Sequence, residues 1–332
     1  MTLRAGAPGD AAITTLANTP RQALVSALRG GGLRLDFGAL ALRLRSDSPA
    51  LAAQLQVVYR HFAFDDSDDW ADVHVAVMRQ PGLRRWIAPQ VVFRTDGREP
   101  FVPFPADSPL PLTEWGVNWL IGRRLNNLLL LHAGAVERDG LALILPAVPG
   151  SGKSTLTAAL SLRGWRLLSD EFGAYDPACD AFRALLKPVA LKNLSIPVIR
   201  AFEPMALLGP DFPKTRKGTV AHLGADADAV ARRHETAAPG AVILPRWSAG
   251  SATQLLPMGP ERLFPALAFN AFNYSTLGAV GFDAVLRLAR GCPGWTLVYS
   301  DLDDALAAID RLWTGVVAGH ADAQRVQAPV VA

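Results

Sequence analysis

The chain has 332 residues, half of them hydrophobic and 19% charged, which suits folded domains with a sizeable core and excludes an extended disordered chain. Its formal charge of +3 is not gathered into long basic runs, so charge alone implies no nucleic-acid partner. The two cysteines, Cys179 and Cys292, exclude a disulfide framework, though not a single bridge, and have no metal-ligand spacing.

The first thirty residues lack an apolar core behind their charge, so no secretory signal is expected and cytoplasmic residence is the simplest reading. A short helix is predicted at Arg21–Arg29, ended by Gly30, Gly31 and Gly32. Next, Leu33, Leu35 and Phe37 share one face, and Leu40, Leu42 and Leu44 share another. The parity changes across Gly38 and Ala39, which predicts two strands joined by a turn, or one strand with a bulge. A helix is expected at 51–62, and an acidic run at 65–69 reads as a solvated turn rather than a cation site. Strands follow at 73–78 and 87–94, with Asp96 and Gly97 in a turn. Four prolines in 103–111 mark a linker, and Trp115, Trp119 and Leu120 fall at helical spacing within 113–125 as a core stripe. These readings divide the chain into a small β-rich N-terminal domain (1–110), a second domain (113–316) and a flexible tail (317–332).

The most apolar stretch, 125–146, is interrupted by Asn126, Asn127, His132 and residues 137–140, so it cannot span a bilayer. It predicts a hairpin instead, with strands at 128–136 and 141–145 around Asp139 and Gly140. Counting outward from a two-residue turn sets His132 opposite Ala147. A histidine on an apolar strand is ordinarily a satisfied core residue; at this place it also suits a phosphate contact or a proton carrier.

The second strand runs into Ala147-Val148-Pro149-Gly150-Ser151-Gly152-Lys153-Ser154-Thr155, then a helix closed by Gly164. This is the pattern of a phosphate-binding loop, or Walker A sequence, with Ala147 in place of the first glycine. Gly150 and Gly152 let the backbone turn so that its N–H groups meet phosphate oxygens, and the helix N-terminus adds its dipole. Lys153 supplies a cation for the terminal phosphates, and Ser154 is placed to ligand Mg2+. Pro149, Ser151 and Thr155 complete the loop, and Mg-ATP is the expected cofactor. A strand at 165–169 should run parallel to 141–145 and complete a βαβ unit. Parallel strands end on one edge of a sheet, so Asp170 and Glu171 should face the same phosphates. Asp170 and Glu171 are then the candidates for the metal-binding or basic carboxylate.

Further on, 241–244 and 295–299 read as strands. Residues 263–272, 282–289 and 302–313 read as helices, the last opened by Ser300 and Asp303 as a capping box. Lys187 and Lys192 flank a strand-like Pro188-Val189-Ala190-Leu191, and Lys214, Arg216 and Lys217 cluster. Both groups suit either solvated faces or clamps on phosphate or an acidic acceptor, as does Arg246; His222 reads as structural.

Three motifs within 132–171 stand in an order that resembles the kinase domain of HPr kinase/phosphorylase, a bacterial serine kinase with a PEP-carboxykinase-like fold. They are His132-Ala133-Gly134, Pro149-Gly150-Ser151-Gly152-Lys153-Ser154 and Arg163-Gly164-Trp165-Arg166-Leu167-Leu168-Ser169-Asp170-Glu171. Lys217-Gly218 resembles an Arg-Gly of the family that contacts the transferring phosphate, and Asn270 resembles part of its C-terminal region. The chain is similar to the group called HprK-related kinase A, found beside peptide-modification components, with lasso-peptide kinases another branch. The resemblance implies an α/β P-loop kinase domain of HPr kinase/PEP-carboxykinase-like type; the smaller β-rich domain before it is read from its strands alone. It also implies ATP-dependent transfer to a hydroxyl of a protein, peptide or small alcohol, Asp170 as the catalytic aspartate, and by analogy a homo-oligomer. Thr155 stands where the family has an acidic residue and Glu171 where it has a second aspartate, so neither HPr as acceptor nor phosphorylase activity is implied. The alternative is a nucleotide-dependent switch or ATPase without a phosphorylated product; Asp170 and Glu171, directly after the strand, favour the kinase.

Overall fold

The computed structural model describes residues 14–82 and 86–327, with side chains as far as 322. The alternating N-terminal residues form an antiparallel pair, β1 (Leu33–Asp36) and β2 (Ala41–Ser46), so the change of parity is a turn between two strands. β3 (Val73–Arg79), β4 (Gln90–Arg94) and β5 (Phe104–Pro105) complete a five-stranded sheet in the order β1-β2-β3-β4-β5. Helix α1 (Arg21–Arg29) packs on β1 and β2, and α2 (Pro49–Val58) packs against α1. The acidic run at 65–69 is a turn gathered by arginines: Arg43 donates to the Ser67 and Asp69 carbonyls at 2.6 Å, and Arg34 pairs with Asp65 at 3.3 Å.

The proline-rich stretch 103–111 is not a linker. It holds β5 and the opening turn of α3 (Pro109–Arg124), where a missing N–H costs nothing because first-turn N–H groups have no intrahelical partner.

The hairpin forms as expected from β6 (Leu129–Arg138) and β7 (Leu141–Pro146). Its register runs from Arg138 against Leu141 to Ala133 against Pro146, with Asp139 and Gly140 at φ 57° and 77° in the turn. From β7 the chain passes through α4 (Lys153–Ser161) into β8 (Arg166–Ser169), β9 (Phe172–Asp176) and β10 (Ala181–Arg183). β8 does run parallel to β7, but it is not its neighbour: both are antiparallel to β6, which lies between them. The adjacent βαβ pairing expected from sequence is therefore absent, because the hairpin already fills that edge of β7. Its other edge takes β14 (Ala238–Trp247), which arrives much later in the chain and is parallel to it.

Between these segments lie β11 (Val189–Lys192), α5 (Ser195–Phe202), β12 (Phe212–Thr215), β13 (Gly218–Leu223) and α6 (Ala227–Ala231). β13 is the middle strand of a separate three-stranded sheet with β11 and β12. The C-terminal part adds β15 (Gln254–Met258), α7 (Pro260–Phe269), α8 (Tyr274–Leu277), α9 (Ala279–Gly291), β16 (Gly294–Tyr299) and α10 (Leu302–Gln327). The large sheet has the order β10-β9-β6-β7-β14-β16-β15, with β8 also on β6, and it is mixed: β7, β14 and β16 are parallel and the rest antiparallel to their neighbours.

At α10 the cap is Asp301, whose carboxylate accepts the Asp304 N–H at 3.0 Å; Ser300 instead donates to the Ser251 carbonyl, so the expected capping box does not form. The helix continues to Gln327, so residues 317–327 of the expected tail are helical, and 328–332 lie outside the described residues. Buried side chains from Leu16 to Trp313 make one continuous core in this mixed α/β fold.

Candidate functional site

β7, β14 and β16 end on the same edge, and that edge carries the glycine-rich loop. Gly150 and Gly152 both have φ 89°, and a Cβ on Gly152 would lie 2.4 Å from the Tyr299 hydroxyl oxygen, so only glycine fits there. The ends of the neighbouring strands anchor the loop: the Trp247 N–H donates to the Ser151 carbonyl at 2.9 Å, and the Tyr299 hydroxyl to the Gly152 carbonyl at 3.2 Å. Gly152 is the N-cap of α4 and offers no capping side chain, so the first-turn N–H groups stay open to a ligand. Behind the loop, α4 lies close on β6 because Gly134 has no side chain; a Cβ there would meet the Thr157 Oγ1 at 2.1 Å.

Asp170 and Glu171 directly follow the end of β8, as expected, and β9 begins immediately after them. β8 and β9 run in line along one side of β6, with Ser169 against Ala135 and Phe172 against His132. The ladder is interrupted at Asp170 and Glu171, opposite Ala133 and Gly134 and therefore level with the end of β7. The carboxylates thus lie at the strand end and the level expected, and the chain resumes pairing with β6 beyond them. The buried Lys153 amine donates to the Asp170 carbonyl and lies 3.8 Å from the Asp170 Oδ1, a buried oxygen with no hydrogen-bond partner among the described residues.

No model of a known protein family matches the chain, and it matches none of the curated proteins. Its site must be read from its own chemistry.

His132 lies beside the loop, with Nε2 3.7 Å from the Glu171 Oε1. Burial, and then the Lys153 charge, hold the imidazole pKa below its ordinary value despite the two carboxylates, so the ring is neutral at pH 7. Burial alone would raise the Glu171 pKa, but Lys153, His132, Lys192 and Lys187 outweigh it and hold the carboxyl below its usual range. Lys192, at the end of β11, has its pKa lowered by burial and then by Lys217, against the pull of Glu171 and Asp170. Asn193 joins these two lysines' segments: its amide donates to the Lys217 carbonyl at 3.3 Å and its side-chain oxygen accepts the Thr219 N–H at 3.1 Å. The Thr155 hydroxyl, expected at the nucleotide, donates to the Ser195 hydroxyl at 2.8 Å and ties the first turn of α4 to α5. Ser154 is half-buried in that same turn.

The other basic candidates disperse. Lys187 is buried against the Glu114 carboxylate at 3.1 Å and also bonds Asn118; Lys214 pairs with Asp107 at 3.4 Å; Arg216 lies over the Trp115 ring; Arg246 is exposed near the end of β14. His222 is buried, with its pKa lowered to about 4 by burial, as a structural residue. Asn270 lends its backbone oxygen to the His132 N–H at 2.6 Å. Sequence reasoning missed Trp247, Tyr299 and Asn193, although two strands recognised as such end in the first two. It also missed Asn273, whose buried amide holds the Leu130 N–H and the Leu125 and Leu128 carbonyls. Among the described residues no group of three or more His, Cys, Asp or Glu could hold a metal ion, and no helix is long and apolar enough to cross a membrane.

Proposed function

We propose that the chain is an ATP-dependent kinase, with a P-loop domain of the HPr kinase/PEP-carboxykinase-like type, that transfers the γ-phosphate to a hydroxyl. The observation that carries this is the placing of Asp170 and Glu171 in the break between β8 and β9, level with the glycine-rich loop and joined to it through Lys153. The loop amides of 150–152 and the Lys153 amine hold the β- and γ-phosphates, and Lys192, close enough to act on Glu171 and His132, adds positive charge together with Lys217. The residues fit Mg2+: Asp170 would offer a buried carboxylate oxygen that has no hydrogen-bond partner among the described residues, and Ser154 would offer a hydroxyl. When bound, Mg2+ neutralises charge on the phosphates. Asp170 takes the proton of the acceptor hydroxyl as its oxygen bonds to the γ-phosphorus and the bond to ADP breaks. Glu171, ionised at neutral pH, and neutral His132 orient that hydroxyl.

The acceptor class is a serine of a protein or peptide, or a small alcohol, and a peptide-modification system and a homo-oligomer are the settings the resemblance supplies. The test is labelled ATP with serine peptides and small alcohols. Asp170→Asn should keep ATP-dependent thermal stabilisation while phosphoryl transfer falls about a hundredfold or more. Release of inorganic phosphate alone by the wild type, across those acceptors, would replace the kinase with a nucleotide switch. Transfer by Asp170→Asn at the wild-type rate would remove the role given to Asp170.

A further inference from the structure

β6 changes partners beside the glycine-rich loop, and the change leaves a cavity. From Arg138 back to Ala133 one edge of β6 pairs with β7, and the other with β8 and then β9. Where β7 leaves the sheet at Pro146, residues 270–272 take over its edge. The His132 N–H donates to the Asn270 carbonyl, Leu131 bridges Ala271, and the Phe272 N–H donates to the Leu130 carbonyl at 2.9 Å. Between the departing chain and its replacement lies a cavity of about 150 Å3, lined by Val148 and Pro149 from the loop, by residues 269–272, Asn270 included, and by His132. Phe269 is 81% exposed and Val148 58%, large apolar surfaces left in water beside a charged site. The half-exposed Phe272 packs on the His132 ring at 5.4 Å and on buried Phe172 at 5.0 Å, so its place in the lining is fixed.

We propose that this cavity receives a large apolar group of the acceptor, a phenylalanine- or leucine-sized side chain adjoining the hydroxyl that is phosphorylated. The inference rests on the kinase reading and specifies its substrate. In-line transfer puts the acceptor and the departing nucleotide on opposite sides of the phosphoryl group. Asp170 and Glu171 mark the acceptor side, and His132, 3.7 Å from Glu171, is shared between them and the cavity. The nucleotide base therefore belongs on the far side, and the acceptor's flank belongs here. Apolar cavities of this size accept a benzene-sized group. The walls carry no formal charge and His132 is neutral, so an acidic or basic flank is disfavoured.

The experiment has a binding arm and a transfer arm, both on the full chain. In the binding arm, saturation-transfer NMR compares N-acetylphenylalaninamide with N-acetylglycinamide. The phenylalanine probe should bind at least tenfold more tightly. Ala271→Trp, which fills the cavity, should abolish the difference while ATP-dependent thermal stabilisation persists; if that variant does not fold, the exposed Phe269→Ser should weaken the probe severalfold. Equal binding of the two probes overturns the inference. So does displacement of the phenylalanine probe by adenosine, which would make the cavity the base site. In the transfer arm, a peptide containing Ser-Phe should exceed its Ser-Gly counterpart at least tenfold in kcat/KM, and equal values overturn the inference. Probe binding without transfer to any hydroxyl, by contrast, overturns the kinase reading and with it the acceptor role of the cavity.

Discussion

Removing Lys153 should unfold the site as well as disarm it. Lys153 and Asp170 are 8% and 5% exposed, so the ammonium and carboxylate balance each other away from water. Breaking a buried pair by deleting one partner typically costs about 3–5 kcal/mol, because the other charge is left without compensation. Here the carboxylate contact is a long 3.8 Å and reaches one oxygen, so Lys153→Met is placed at the lower end, about 3 kcal/mol. Neutralising the partner as well removes the stranded charge, and the double variant Lys153→Met/Asp170→Asn should sit within about 1 kcal/mol of wild type, a coupling of about 2 kcal/mol plus whatever Asp170→Asn costs alone. Urea unfolding without nucleotide at pH 7 measures all four members of the cycle. A Lys153→Met loss below about 1 kcal/mol, or additive effects in the double variant, would show that the two charges do not sustain each other.

Gly134→Ala places a methyl group where the Thr157 hydroxyl oxygen lies, 2.1 Å away, so α4 must lift from β6. We expect about 1–3 kcal/mol of lost stability by urea unfolding, and much of it recovered in Gly134→Ala/Thr157→Ala. His222 predicts a pH dependence. Its folded pKa of about 4 lies below the ordinary 6.5, so the unfolded chain takes up its proton first. Its contribution is complete above about pH 6.5 and is lost as pH falls toward 4, amounting to about 3 kcal/mol. His61 and His132 are lowered too, so the measured quantity is the difference in this loss between wild type and His222→Gln; equal slopes would disprove the assignment.

What could be read in the sequence was local. Asp139 and Gly140 demand positive φ, and that turn fixes the whole hairpin register, hence the place of His132 beside the loop. The glycines of the loop announce their own conformation in the same way. What could not be read was which edges meet. Nothing in Arg166–Ser169 says that β6 will separate it from β7, and nothing in Phe172–Asp176, with its glycine and two aromatic residues, separates a strand from a loop. The prolines of 103–111 spoke for a linker because proline's exclusion from helices relaxes in the first turn, a position that only the rest of α3 defines. Asn273 had no signal at all: its three partners lie some 145 residues earlier in the chain.

β8 has a one-residue irregularity at Leu168, but from Ser169 across the break into β9 the register on β6 is constant. Ser169 faces Ala135 and Phe172 faces His132, three steps apart on both strands, although Asp170 and Glu171 leave the ladder. The acidic pair is therefore a spacer of fixed length. Adding or deleting a single residue there would turn β9 over, exchanging the faces taken by Phe172 and Gly173 and undoing the packing of Phe172 on Phe272. Which carboxylate stands at 170 and 171 is less constrained than their number. A lineage could trade one carboxylate for another at this point, as an aspartate for a glutamate, while every change of chain length would have to fall elsewhere.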